Sequence, residues 1–149
     1  MSRIDYKAVA PDGYSVLRRM TSYIADSGLD ETLRHLIYLR VSQINGCTYC
    51  IDRHWSDAVR AGLSQRLLNS LVAWKENSWF SKRQRAALAW AETLTNVSTQ
   101  GAPDATYEAV VSEFNESELA NLTYAIAHMN ALNRLAIGLQ HPKVDGTPA

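Results

Sequence analysis

Ser42–His54 reads SQINGCTYCIDRH, and it decides the fold because an Asn-Gly stop stands directly before a helical repeat of chemically active side chains. Upstream, Leu33, Leu36, Ile37, Val41 and Ile44 recur at helical spacing behind Asp30, a good N-cap, and Asn45-Gly46 closes that helix. A second helix starting at or just after this stop places Cys47, Cys50 and His54 at i, i+3 and i+7, on one face. Two thiols and a base then share a surface. The helix start contributes unpaired N–H groups and the positive end of the dipole, which favour a thiolate in the first turn.

The rest of the chain repeats this pattern of helix following helix. Val16, Leu17, Met20 and Ile24 form a stripe between Asp12-Gly13 and Ser27-Gly28, and the Cys47 helix ends at Gly62. Ser64 caps a fourth helix carrying Leu67, Leu68, Leu71 and Trp74. After a loop over Lys75–Phe80, Ser81 and Gln84 make a capping box for a fifth, with Ala87, Leu88, Ala91 and Leu94 on its inner face. Thr95–Pro103 is read as loop, Asp104 to Phe114 as a sixth helix, and Asn115 with Glu118 opens a long seventh to Gly138 along Leu119, Leu122, Ile126, Met129 and Leu135. No alternating strand pattern occurs. The expected class is therefore all-α, a single-domain bundle of six to seven helices spanning 1–149, with loose tails at 1–12 and 141–149.

The 149 residues are 46% hydrophobic and 20% charged, with zero formal net charge. That balance suits a folded protein and leaves no basic footprint for nucleic acid or an acidic membrane. No apolar run is long enough to span a bilayer, and MSRIDYKAVAPDG lacks a signal core, so a cytoplasmic protein is expected. In that compartment the only two cysteines, sitting together, read as reactive or metal-binding rather than as a structural staple.

Cys-x-x-Cys chemistry has several hosts. A thioredoxin-like site follows a β-strand, whereas a helix precedes this one, and c-type haem needs histidine where Ile51 stands. Zinc remains an alternative, with Cys47, Cys50, His54 and His35 as a Cys₂His₂ set. So does a non-enzymatic oligomer that senses redox state through Cys47 and Cys50. A thiolate at Cys50, one helical turn from His54, is the natural attacking group on a peroxide, with His54 either lowering its pKa as imidazolium or taking its proton. Trp55, Trp74, Trp79, Phe80 and Trp90 read as core or subunit interface, and His128 and His141 as structural or solvated.

Longer runs carry a family resemblance. LRVSQINGCTYCIDRH at 39–54, AVRAGLS at 58–64, the W-x₄-W-F-S segment at Trp74–Ser81, RAALAWAETLT at Arg85–Thr95 and NALNRLAI at Asn130–Ile137 resemble the alkylhydroperoxidase D-like branch of the carboxymuconolactone decarboxylase superfamily. The resemblance implies an all-helical fold, trimers or hexamers, and thiol-dependent peroxide reduction without haem or metal, so no cofactor is expected. It implies a peroxide substrate and an external dithiol, thioredoxin-like or lipoyl, as reductant. By position, Cys50 matches the peroxide-attacking cysteine, Cys47 the resolving cysteine and His54 the proton-relaying histidine. Two relay positions differ: His35 stands where the family has a glutamate, and Tyr49 where it has a histidine. Glu31, Tyr38 and Glu92 are candidates to replace the missing acid, with His35 itself orienting His54. Lactone decarboxylation, the companion activity of the superfamily, does not need the cysteine pair and ranks below peroxide reduction.

Overall fold

The polypeptide sets one helix at the centre and packs others around it. A computed structural model describes residues 3–140 and is helical throughout, with no strand among them. In chain order the elements are α1 (Tyr6–Val9), α2 (Pro11–Asp26), α3 (Glu31–Asn45), α4 (Thr48–Arg60), α5 (Gln65–Ser70), a 3₁₀ helix (Leu71–Glu76), α6 (Lys82–Thr95), α7 (Val97–Gln100), α8 (Asp104–Val111) and α9 (Glu116–Gly138). Helix α3 is the centre, packing on α4, α6 and α9. Leu36, Ile37, Leu39 and Val41 are each 0% exposed, so its apolar face is broad, as a helix covered on several sides requires. From α9, Leu122, Ile126 and Met129 meet it in the core.

Local chemistry sets the helix ends. Asp30 accepts the Leu33 N–H at 2.8 Å, Ser64 accepts that of Leu67, and both expected capping boxes close, Ser81 with Gln84 and Asn115 with Glu118. The decisive joint lies between α3 and α4. Gly46 adopts φ +71°, its N–H reaches Gln43 O, and the Cys47 N–H reaches Ser42 O at 3.0 Å. This is a Schellman closure. Cys47 is at once the last residue of that motif and the N-cap of α4, its Sγ accepting the Cys50 N–H at 3.4 Å. An amide network locks the joint to α9: Asn45 donates to Asn130 Oδ1 and Asn133 Oδ1, and Asn133 donates to Ser42 Oγ.

Four details differ from the sequence reading. Residues 5–10 are not a loose tail, because Asp5 caps the one-turn helix α1 through Lys7 and Ala8 N–H, and Pro11 then starts α2. The expected loop 95–103 contains α7, a single turn stopped by Gly101 at φ +65°. The fourth helix passes after Ser70 into a 3₁₀ segment, Leu71–Glu76, whose backbone is kinked at Ala73. On α2 only Ile24 is buried, while Val16 and Met20 face outward, as does Tyr23, whose ring sits edge-on to Tyr124 of α9. The expected tail at 141–149, with His141, lies outside the described residues.

A Cβ at Gly46 meets no atom within 4 Å, so substitution there costs backbone strain alone. Gly46→Ala is expected to destabilise the protein by about 1–2 kcal/mol, and Gly46→Asn by less, in denaturant melts. A zero cost for alanine would show that the joint does not need its left-handed residue.

Candidate active site

Cys47 and Cys50 form a disulfide across one turn, with Cα atoms 5.3 Å apart. Both are nearly inaccessible, packed with Ala136 and Tyr49. Their surroundings differ, however. A cavity of about 250 Å³ opens between α1, α2, α3, α4 and α9, and Cys50 lies on its wall while Cys47 does not. His54 and His35 line the same wall, so the four residues picked out by sequence divide into three that face the cavity and one held behind.

Each wall residue follows from helix register. On α4, Cys50, His54 and Asp57 fall at i, i+4 and i+7; on α3, Arg34, His35 and Tyr38 fall within one turn. The helices cross so that the Tyr38 and His54 rings lie 5.0 Å apart and those of His35 and His54 6.3 Å. His54 Nδ1 stands 3.8 Å from Asp57 Oδ2, and His35 Nε2 stands 3.7 Å from Glu31 Oε1, both too long for direct hydrogen bonds. Among the described residues His35 Nδ1, Tyr38 Oη and His54 Nδ1 are buried with no hydrogen-bond partner. Three such atoms in one wall give the cavity a polar side and mark it as a candidate site.

Burial sets the protonation states. It lowers the His54 pKa to about 4, helped by His35, Arg53 and Arg34, with Asp57 opposing. It also lowers His35, where Arg34 adds to it and Asp57 and Glu31 oppose. Tyr38 is pushed up to about 12, again by burial. At neutral pH both imidazoles are therefore uncharged, which removes the repulsion expected of two imidazolium rings. Of the two modes open to His54, proton acceptance fits and standing imidazolium does not.

Sequence reasoning placed His54 with Cys50 but missed Asp57, Arg34 and His128. The spacing His54-x-x-Asp57 was visible; its meaning needed the cavity. His128, read as structural or solvated, is buried, hydrogen-bonded to Thr21 Oγ1 at 2.9 Å and part of the lining. Glu92 does not replace the missing acid. It lies away from the cavity, bound by Arg40, Trp74 and Lys75. The aromatic residues split: Trp74, Phe80 and Trp90 are core, while Trp55 and Trp79 are exposed.

A metal would find different ligands from those expected. The disulfide takes up both sulfurs, and the remaining donors are His35, His54 and Asp57, whose nearest ligand atoms lie within 4.8 Å of one another. Arg60 already holds Asp57 Oδ1 at 3.0 Å, and Arg53 and Arg34 stand close by. A dication there would be surrounded by guanidinium groups, and the electrostatics oppose it.

Comparison with known proteins agrees with this fold. The model of the carboxymuconolactone decarboxylase family matches residues 11–93, more than half of the chain. The chain belongs to that family. Its similarity to a solved structure from Agrobacterium tumefaciens, described as a protein of unknown function and candidate AhpD antioxidant defence protein, is 32% identity at a TM-score of 0.94, covering 98% of this chain and 100% of the other. The uncharacterized protein YdfG of Bacillus subtilis is 35% identical over 137 residues, 92% of this chain and 93% of YdfG. Alkyl hydroperoxide reductase AhpD of Coxiella burnetii is 39% identical over 49 residues, 33% of this chain and 28% of that enzyme. Within the carboxymuconolactone decarboxylase family the chain thus sits in the AhpD-like branch, an antioxidant, peroxidase-like group, and it carries the Cys-x-x-Cys pair.

The buried histidines predict a pH dependence of stability. His54 binds its proton near pH 6.5 when unfolded and only near 4 when folded, so acidification favours the unfolded chain. Stability should be unaffected by this group above about pH 7.5 and fall between 6.5 and 4, by about 3 kcal/mol in total. His35 and His128, both lowered by burial, act in the same direction. Denaturant melts across this range should show the slope, and His54→Gln should flatten most of it.

Proposed function

We propose that the protein is a thiol-dependent peroxidase that reduces organic or hydrogen peroxides through Cys50, Cys47 and His54. The observation that carries this reading is the asymmetry of the pair: Cys50 is on the cavity wall beside an uncharged His54, and Cys47 is behind it at the helix start. Membership in an antioxidant, peroxidase-like family supports it.

In the reduced protein, neutral His54 takes the Cys50 proton. The thiolate attacks the terminal oxygen of R–O–O–H; the S–O bond forms, the O–O bond breaks, and the alkoxide leaves with its electron pair. His54 returns the proton, giving R–OH and a Cys50 sulfenic acid. The Cys47 thiol, at the N-cap of α4, then attacks the sulfenic sulfur; the S–S bond forms, the S–O bond breaks, and the leaving hydroxide takes the proton of the Cys47 thiol and departs as water, so that the disulfide remains. An external dithiol, thioredoxin-like or lipoyl, supplies two electrons and two protons to restore both thiols. The sum is ROOH plus a dithiol giving ROH, water and a disulfide. No metal or organic cofactor enters this sequence.

His35 and Tyr38 hold the rest of the relay in this reading. Uncharged His35 does not stabilise imidazolium as a glutamate would, so Asp57, 3.8 Å from His54 Nδ1, is the carboxylate that does. Association of copies, as trimer or hexamer, is part of the proposal. The apolar side chains left outside on α2 and α9, Val16, Met20, Tyr23, Tyr124 and Ile137, are the surface offered for it.

The test is peroxide consumption with a dithiol reductant. Cys50→Ser should abolish it, Cys47→Ser should allow one equivalent of peroxide per chain and then stop, and His54→Ala should slow thiol oxidation roughly a hundredfold or more in stopped-flow. Unchanged turnover by Cys50→Ser would sink the reading. A reversible disulfide with negligible turnover would make the pair a redox sensor, and lactone decarboxylation surviving loss of both cysteines would move the chain to the other branch of its family.

A further inference from the structure

The cavity's charge is unequal. Among the described residues its lining includes the cations Lys7, Arg18, Arg34 and Arg53 but only one carboxylate, Asp57. Arg34 is the least explained of them. Its side chain is 12% exposed, yet its guanidinium donates no hydrogen bond among the described residues, and its only ion pair is a 3.8 Å approach to Glu31, which is itself 67% exposed. Charge-assisted pairs close to about 2.7–2.9 Å, and a largely buried guanidinium is normally held by one. Arg34 lines the cavity, as the residue next to His35 and one turn before Tyr38. Leu17, Met129 and Leu132 line the same cavity and give it apolar surface.

We infer that the substrate is an anionic organic hydroperoxide: Arg34 receives its carboxylate, and Leu17, Met129 and Leu132 hold its hydrocarbon body with the peroxide toward Cys50. The proposal rests on the peroxidase reading for the peroxide and on Arg34 alone for the carboxylate. A planar carboxylate matches the guanidinium fork with two parallel N–H···O bonds, which a neutral alkyl peroxide cannot form. The same positive surroundings that oppose a metal cation at His35, His54 and Asp57 favour this anion. Arg34 is thereby a specificity-determining residue, distinct from the groups that move protons.

Recognition can be measured without turnover. The oxidised protein, whose disulfide cannot react with peroxide, is titrated calorimetrically with 4-isopropylbenzoate and with 4-isopropylbenzyl alcohol, a neutral analogue of matched shape. The carboxylate is expected to bind roughly ten- to a hundredfold tighter. Arg34→Gln should erase this preference, Arg34→Lys should keep part of it, and Arg66→Gln, a cation outside the cavity, should leave it intact. In the reduced protein, cumene hydroperoxide bearing a para carboxylate should exceed plain cumene hydroperoxide in kcat/KM by a similar factor, carried in KM. Equal binding of the two probes to wild type overturns the inference, as does a preference unchanged in a folded Arg34→Gln. Carboxylate preference with no turnover of any peroxide would support Arg34 as an anion site and refute the peroxidase reading; turnover with no preference would do the reverse.

Discussion

The left-handed turn at Gly46 is the constraint on which the remaining geometry depends. A helix as buried as α3 must release the chain without leaving orphan carbonyls, and the Schellman closure does this within two residues. Because the next helix begins at once, Cys47 serves both ends and has no freedom to drift. The register of α4 is then fixed, and with it the direction in which Cys50, His54 and Asp57 point. The Asn45, Asn130 and Asn133 amides secure the same joint to α9, so the cavity's opposite wall is held to the thiol by hydrogen bonds.

The electrostatic character of the site follows from depth and not from any one partner. Burial dominates the shifts of His54, His35 and Tyr38 alike, and it leaves two neutral imidazoles and a protonated phenol around the sulfur. A neutral environment of this kind would be apolar in effect without Arg34 and Arg53 at its edge. Their charges make it a place that disfavours cations, and Asp57 is the counterweight, opposing the fall in the His54 pKa.

Much of this was readable from the chain because much of it is local. Ser81 with Gln84, Asn115 with Glu118, and Asp30 before its apolar stripe mark helix starts three residues at a time, and the structure places helices at all three. That Cys50 and His54 stand one turn apart on one helix, with Cys47 at its start, was legible for the same reason. What could not be read depends on which helices meet. Arg34, His128 and Asp57 acquire meaning only where α3, α9 and α4 enclose one space, and Glu92 lost its role because α6 turns it toward Arg40 and Lys75. The one-turn helices at Tyr6–Val9 and Val97–Gln100 are too short to generate a period. On α2, Val16 and Met20 had the right spacing for a core face, but spacing cannot say whether a neighbour covers it.

The disulfide spans a sequence separation of only three residues. Closing so small a ring removes little chain entropy from the unfolded state, about 2 kcal/mol against nearly 5 for a hundred-residue loop. Within that ring the backbone is already restrained by the turn at Gly46 and the first turn of α4, whichever oxidation state the sulfurs hold. The bond therefore adds less to the fold than a long-range disulfide would, and the proposed cycle of opening and closing it would leave the constraints of the joint in place.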